Sequence, residues 1–184
     1  MGTRYTVAAA ALLICATALA VGAESPTRSL EARVKALEDK ERIHDLIDRY
    51  NLLHNLEDWP ALAQLFAKNG ELRAFNQVAR GPAQILALCR EKMGQTPYDP
   101  LKVKGVLFNT SVLIIPVDAD HAKVESRWMY VVPGPDSKPV PSRTGRYIED
   151  VVRENGEWKL LVLYDPIDLP HGESNPADMP PPAK

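Results

Sequence analysis

The stretch HAKVESRWMYVV, residues 121–132, decides the fold class because apolar and polar side chains alternate along it. Alternation with a period of two is typical of a β-strand that has one covered face. The predicted covered face carries Ala122, Val124, Ser126, Trp128, Tyr130 and Val132, and the opposite face carries Lys123, Glu125 and Arg127. We therefore expect this segment to be a strand of a sheet that packs on a hydrophobic core.

Three more strand-like runs surround this stretch, over residues 102–117, 143–154 and 157–166. Turn-forming residues separate the four runs, at positions 118–120, 133–142 and 155–156. Short turns between consecutive strands are typical of antiparallel pairing. The second half of the chain is therefore predicted to be an antiparallel sheet.

The residues before the sheet have a helical pattern. Residues 28–56 repeat apolar side chains every three or four positions, which predicts one long amphipathic helix or two in tandem. The first part is highly charged with a thin apolar seam, whereas residues 43–55 carry a broader apolar stripe. Only the second part is therefore expected to lie on the core.

Two further helices are predicted between this helix and the sheet. Asp58 is a suitable N-cap for a helix that includes Leu65 and Phe66 and ends at residues 69–70. A short strand is expected over residues 71–75, and Gly81-Pro82 starts a helix that runs to about Met93. Helices followed by an antiparallel meander indicate an α+β fold, in which N-terminal helices pack on a strongly curved sheet to form a cone with an internal cavity.

Composition excludes several classes of function. The 184 residues contain 22 Lys and Arg against 24 Asp and Glu, with no basic stripe, so nucleic acid is not an expected partner. There is no His-x-His motif and no dense acidic cluster with ligand spacing, so neither a metal nor a cofactor is expected. Cys89 lies in an apolar run and is expected to be a small buried hydrophobe.

The chain is predicted to have four parts. Residues 1–23 are a signal peptide, since Arg4 precedes an apolar run of h-region length, and cleavage is expected after Ala23, with Ala20 as the alternative. Residues 24–41 are a charged helical extension, residues 42–168 the folded domain, and residues 169–184 a disordered Pro-rich tail. The mature protein is expected to be secreted or periplasmic, without membrane contact after cleavage.

The order of these elements resembles the SnoaL-like domain family of the nuclear transport factor 2-like superfamily. The motifs that carry the resemblance lie at residues 36–39, 43–50, 58–59, 81–82, 109, 118–122, 145–150 and 156–159. The resemblance covers roughly residues 30–168. It implies a cavity enzyme without cofactor or metal, such as a polyketide cyclase, a dehydratase or a dehydrochlorinase, in which a carboxylate and a histidine move a proton.

Two positions depart from the family pattern. The family aspartate falls on Asn55 and the family histidine on Gly105, so the usual acid–base pair is missing. The resemblance does match Tyr50 to a substrate-binding tyrosine of the first helix and Tyr147 to a cavity-facing aromatic residue. It therefore implies that the cavity is kept while the usual pair is lost.

Other residues could supply the chemistry. Tyr50 and His54 are four residues apart on one helix face, and we predict them as catalytic proton carriers. The residues predicted to bind substrate are Asn55, Trp59, Phe66, Leu107, Asn109, Trp128, Tyr130 and Tyr147, with Trp158 also expected near the cavity. Arg127 and Arg146 are candidates to hold an acidic group, with a solvated or interface salt bridge as the alternative for each. Asp150 and Asp165 are expected to be structural, with a role at the cavity mouth as the alternative.

The sequence leaves two kinds of function open. The first is an exported, cofactor-independent lyase or isomerase, dehydratase-like, that acts on a small apolar or hydroxylated cyclic molecule. The second is a non-catalytic module that binds such a molecule or dimerises, for which the charged helix from Leu30 to Lys40 would pair two subunits. A homodimer is the expected assembly.

Overall fold

A computed structural model describes residues 29–94 and 103–170. The predicted signal peptide and nearly all of the predicted tail lie outside these residues. The described residues form three helices and seven strands: α1 Leu30–Asn55, α2 Trp59–Ala63, β1 Phe66–Ala74, β2 Gln77–Arg80, α3 Gly81–Met93, β3 Val106–Pro116, β4 His121–Pro133, β5 Pro139–Glu154, β6 Glu157–Tyr164 and β7 Ile167–Leu169. Among them, no helix is both long and apolar enough to cross a membrane.

The α+β fold class is confirmed. The seven strands form one sheet in the order β2-β1-β6-β5-β4-β3, and β7 pairs with β5. The meander β3-β4-β5-β6 is antiparallel as predicted. The prediction of a wholly antiparallel sheet was wrong at one place, because β1 pairs with β6 in parallel. β6 runs in the same direction as β1 because the elements between the two strands return the chain to the end of the sheet at which β1 begins.

The first helix is continuous over its 26 residues, which decides between the two predicted alternatives. Its N-terminus is capped by Ser29, whose Oγ accepts a hydrogen bond from the Ala32 N–H at 3.2 Å. The charged first half is largely exposed, with Leu30 and Leu37 exposed by 71% and 67%. The second half buries Ile43, Leu46, Ile47 and Tyr50 against the sheet. The broad apolar stripe therefore marks the part of the helix that lies on the core.

The second helix is shorter than predicted. It begins after Asp58, whose side chain caps Ala61 N–H as expected, but ends at Ala63. Leu65 and Phe66 leave the helix because they join the sheet, where the Leu160 N–H donates to the Leu65 carbonyl at 3.0 Å. Gly70 lies inside β1, and a Cβ there would stand 2.8 Å from the Leu160 carbonyl oxygen. Because Gly70 has no side chain, β1 can approach β6 closely at this point. Gly70 therefore does not end a helix, contrary to the prediction.

The predicted faces of β4 agree with the observed burial. Ala122, Val124, Ser126 and Trp128 are buried, while the residues between them are exposed. Helix α3 has the predicted bounds and buries Cys89 completely, which raises the pKa of the thiol to about 12. At this pKa the thiol is not a nucleophile, and Cys89 packs as a small hydrophobe.

Candidate functional site

A cavity of about 250 Å³ opens at the C-terminal end of α1. A cavity of about 150 Å³ can hold one benzene molecule, so this volume suits a ligand of one ring with substituents or two small rings. Its wall is formed by His54, Asn55, Glu57, Trp59, Phe75, Lys92, Met93, Lys104, Gly105, Leu107, Trp128, Tyr130, Arg143, Tyr147, Asp165 and Ile167.

Seven of the predicted site residues belong to this wall. They are His54, Asn55, Trp59, Leu107, Trp128, Tyr130 and Tyr147. Four others lie elsewhere: Tyr50 and Phe66 pack edge to face in the core, Trp158 stacks under the Arg153 guanidinium, and Asn109 lies on β3 with its amide unbonded within the described residues. The structure therefore brings together most, but not all, of the predicted set.

His54 is held by aromatic neighbours. Its ring lies 5.5 Å from that of Trp59 and 6.4 Å from that of Tyr130, both approached edge to face. Burial lowers the pKa of His54 from 6.5 to about 4, so the imidazole is neutral at pH 7. The buried Nδ1 atom makes no hydrogen bond to any described residue. A neutral imidazole on a cavity wall is suited to a hydrogen bond with a ligand.

Asn55 has a structural role that aspartate could not fill. Its Nδ2 donates to the Leu107 carbonyl at 2.9 Å, and the Leu107 N–H donates to its Oδ1 at 2.7 Å. The amide thus pairs with the backbone of β3 and fixes the end of α1 against that strand. A carboxylate has no hydrogen to donate to the carbonyl.

We expect Asn55→Asp to lower the free energy of unfolding by about 2 to 3 kcal/mol, because the Leu107 carbonyl loses its donor and faces a carboxylate oxygen instead. Urea unfolding near neutral pH measures this loss. Asn76→Asp makes the same chemical change in an exposed turn and should cost far less. Equal losses in the two variants would contradict the backbone-pairing role.

Gly105 is explained by Tyr130. A Cβ at position 105 would stand 2.4 Å from the Tyr130 Cζ and 2.6 Å from its hydroxyl oxygen. The phenol therefore covers the backbone where a side chain would project just before β3. The Tyr130 side chain thus occupies the space that a histidine side chain at position 105 would need.

Tyr50 lies behind the wall. Its ring is 5.6 Å from that of Tyr147, edge to face. Burial raises the pKa of both phenols well above 10. Tyr147 lines the cavity, whereas Tyr50 lies behind it with its ring 6.5 Å from that of His54. The role of Tyr50 and His54 as proton carriers stays a prediction.

Asp165, expected to be structural with a role at the cavity mouth as the alternative, lines the cavity. Asp165 lies between β6 and β7. Glu149 of β5 pairs with Leu163 of β6, and because the two strands are antiparallel, Asp165 falls opposite Tyr147 on the inner face of the sheet. The Trp128 Nε1–H donates to the Asp165 Oδ1 at 2.8 Å, and the backbone N–H of Asp165 donates to the Arg73 carbonyl at 3.0 Å. Burial raises the pKa of Asp165 from 3.8 to about 7, and the Trp128 bond opposes this rise.

A second carboxyl lies deeper than Asp165. Glu149 is 2% exposed on the inner face of β5, two residues after Tyr147. Neither of its carboxyl oxygens finds a hydrogen-bond partner within the described ranges. Burial, together with the charge of Asp165, raises the pKa of Glu149 from 4.5 to about 8. At pH 7 Glu149 is therefore mostly protonated, and Asp165 is poised between its two forms.

The two arginine candidates for an acidic group lie away from the cavity. Arg127 and Arg146 lie on the opposite face of the sheet, where both donate to Asp168, at 2.8 and 3.1 Å. Neither reaches the cavity, because the alternation of their strands points them away from Trp128 and Tyr147. No group of three potential metal ligands occurs in the part of the chain that the structure describes.

The cavity wall instead carries cations from other elements. Lys92 lies on α3, Lys104 precedes β3, and Arg143 lies on β5. Among the described residues, the acidic side chains of this wall are Glu57, whose carboxylate pairs with Lys104 at 3.0 Å, and Asp165. Within the described ranges the wall thus carries three basic and two acidic side chains.

Comparison by sequence gives one family. The sequence model of the SnoaL-like domain matches residues 35–163. Curated proteins offer no significant match.

Solved structures share the fold. An NTF2-like protein with a cystatin-like fold from Novosphingobium aromaticivorans has a TM-score of 0.67 at 24% identity, covering 82% of this chain and 95% of that chain. A candidate scytalone dehydratase from the same organism has a TM-score of 0.60 at 19% identity, covering 73% and 87%. A hexachlorocyclohexane dehydrochlorinase has a TM-score of 0.62 at 15% identity, covering 74% and 89%. At these identities the likeness shows the fold alone.

Proposed function

The chain belongs to the SnoaL-like domain family, and on that premise we propose that it is a cofactor-independent lyase or isomerase that moves a proton on a small cyclic molecule. The observation that carries the proposal is Asp165: a carboxyl on an aromatic cavity wall, held by Trp128, whose pKa is raised to about 7. A general base is most effective when its pKa lies near the working pH. Asp165 meets that condition, whereas Tyr50 and His54 do not.

The proposed proton path runs through Asp165. Its carboxylate takes a proton from a substrate carbon that a neighbouring carbonyl group acidifies, and the electron pair of the C–H bond forms a new double bond. In an isomerase, Asp165 returns the proton to another carbon. In a lyase, a β-hydroxyl group departs and takes the proton from Asp165 to leave as water, so the carboxylate is restored. The neutral imidazole of His54 is placed to hydrogen-bond a substrate oxygen.

The structural relatives support this class of reaction. The names of two of them describe the removal of a small molecule, water by a dehydratase and hydrogen chloride by a dehydrochlorinase. Elimination of water or of hydrogen chloride to form a carbon–carbon double bond removes a proton from carbon. A cavity of suitable size, lined by both aromatic and polar side chains, and an ionisable carboxyl at the end of β6 are consistent with such a reaction.

Proton exchange tests the proposal without knowledge of the natural substrate. The wild-type protein is incubated in D₂O with small cyclic ketones, 2-cyclohexenone and 1-tetralone, and loss of the proton signals next to the carbonyl is followed by NMR. We expect exchange to be faster by about 100-fold or more than with the same concentration of acetate. Exchange no faster than acetate for either ketone would contradict proton transfer in this cavity.

A second candidate, a binding module without catalysis, is favoured by a separate observation. The positions of the usual acid–base pair are taken up structurally, since Asn55 pairs with the backbone and Tyr130 covers Gly105. Such a module would bind a cyclic ketone in the cavity, with shifts of the Trp59 and Trp128 indole signals, but would leave its exchange rate unchanged. The same NMR samples therefore separate the two candidates.

A further inference from the structure

We infer that Asp168 is a positioning residue for Asp165. It bridges Arg127 and Arg146 on the outer face of the sheet, the face away from the cavity, and so holds the wall that carries the proposed base. The inference rests on the proposed function, in which Asp165 takes the proton, and adds a residue that acts on Asp165 from the other side of the sheet.

Asp165 belongs to a short segment, residues 165–169, that follows β6 and lies against β5. β7 pairs with β5 at Gly145, and the Arg146 N–H donates to the Pro166 carbonyl at 3.1 Å. The contact is close, since a Cβ at Gly145 would overlap the Pro166 carbonyl oxygen. The placement of this segment on β5 therefore sets the placement of Asp165.

The segment presents side chains to both faces of the sheet. Asp165 and Ile167 line the cavity. Asp168 lies on the outer face, where its Oδ2 accepts from the Arg127 Nη1–H at 2.8 Å and its Oδ1 from the Arg146 Nε–H at 3.1 Å. The outer anchor of the segment is thus three residues along the chain from Asp165.

The register of the sheet explains why Asp168 is held firmly. Arg127 of β4 and Arg146 of β5 stand directly opposite each other. Like charges at opposite positions of neighbouring strands repel each other. Asp168 offers one carboxylate oxygen to each guanidinium, which offsets this repulsion and links β4, β5 and β7. A single exposed ion pair stabilises little, but two charge-assisted hydrogen bonds to one carboxylate fix both its position and its orientation.

The Trp128 indole reports the position of Asp165 from the inner side. Its N–H donates to the Asp165 Oδ1 at 2.8 Å, so loosening of the segment would break or lengthen this bond. The Trp59 indole N–H donates instead to the Gly94 carbonyl at the end of α3, at 3.0 Å. Because this second bond does not involve the segment, Trp59 serves as an internal reference.

Exchange of the two indole hydrogens with D₂O, followed by NMR on the full chain without ligand, tests the inference. Asp168→Asn keeps the size of the side chain but removes its charge. We expect the Trp128 indole hydrogen to exchange about ten-fold faster in this variant than in the wild type, and that of Trp59 to stay within about two-fold.

The proposed reaction supplies a second readout. Exchange of the protons of 2-cyclohexenone should fall by about ten-fold in Asp168→Asn at saturating ketone, because a base displaced by a fraction of an ångström loses part of its alignment. A change in ketone binding would instead affect the rate at low ketone concentration. A loss at saturation therefore separates displacement of the base from weaker binding.

Asp150→Asn is the matched control. Asp150 lies on β5, pairs with Lys123 of β4 at 3.5 Å, and its side chain is 31% exposed against 29% for Asp168. Its loss of charge should change neither readout. Asp168→Glu keeps the carboxylate and should restore most of both rates. If Asp168→Asn does not fold, Arg127→Gln removes one of the two donors from a largely exposed side chain and should shift both rates in the same direction.

Three outcomes in the folded Asp168→Asn protein would overturn the inference. The first is Trp128 exchange at the wild-type rate, and the second is equal acceleration of Trp59 and Trp128, which would indicate general opening of the fold. The third is faster Trp128 exchange with no loss of ketone exchange. If the wild type itself exchanges ketones no faster than acetate does, the proposed function fails, and the indole exchange still decides whether Asp168 holds Asp165 in place.

Discussion

Asp165→Asn should slow base-catalysed elimination of 5-nitrobenzisoxazole by about 100-fold or more, the usual contribution of a positioned general base. In this reaction the base takes the proton from the ring carbon, the N–O bond breaks, and a coloured cyanophenolate is released. Asparagine keeps the shape of the side chain and can still accept the Trp128 indole N–H, but it cannot take a proton. Absorbance of the phenolate gives the rate.

Two further variants serve as comparisons for this prediction. Asp136→Asn removes an exposed carboxylate from the turn between β4 and β5 and should leave the rate unchanged. His54→Gln changes the other polar group of the aromatic wall and should cost much less than Asp165→Asn, because a histidine with a pKa near 4 is a weak base. A rate that survives in Asp165→Asn, or that His54→Gln abolishes equally, would place the base elsewhere.

Glu149→Gln should make the protein more stable than the wild type at alkaline pH, by about 4 kcal/mol above pH 8. Burial raises the pKa of Glu149 in the folded chain to about 8, while the unfolded chain titrates near 4.5. Below pH 4.5 both states hold the proton and the wild type has its full stability. As the pH rises from 4.5 to 8, the unfolded state releases its proton first, so the wild type loses stability over that range.

Urea unfolding at a series of pH values measures this difference. Asp165 contributes in the same direction, because the pKa of its carboxyl is also raised in the folded state. Glu125→Gln, on the exposed face of the neighbouring strand, is the matched control and should follow the wild-type curve. If Glu149→Gln followed that curve too, the carboxyl of Glu149 would not be buried in its neutral form.

The fold could be predicted because its pattern is local. The alternation along residues 121–132 fixed which side of β4 is covered, and Asp58 and Gly81 marked the starts of two helices. The end of α2 could not be predicted in the same way. Leu65 and Phe66 continue a helical pattern, and only their pairing with Leu160, far along the chain, ends the helix and starts β1 at Phe66.

The aromatic residues of the cavity wall could be predicted from the sequence more readily than its carboxyl groups. Aromatic residues at covered positions, such as Trp128 and Tyr147, follow from the strand pattern. The same alternation carried a signal for Glu149, which shares a side with Tyr147 and Val151 and is the one acidic residue on that face of β5. Asp165 gave no comparable signal, because its burial arises from Trp128 and from a strand, β7, that forms only when the chain folds back on β5.

The central claim is that Asp165 ionises near neutral pH on the cavity wall. Titration of aspartate carboxyl carbons by ¹³C NMR tests it most directly, with Asp165→Asn used to assign the signal. We expect a midpoint of about 7 for Asp165. A midpoint near its ordinary value of 3.8 would contradict the account, since the carboxyl would then be too weak a base for the proton transfer proposed.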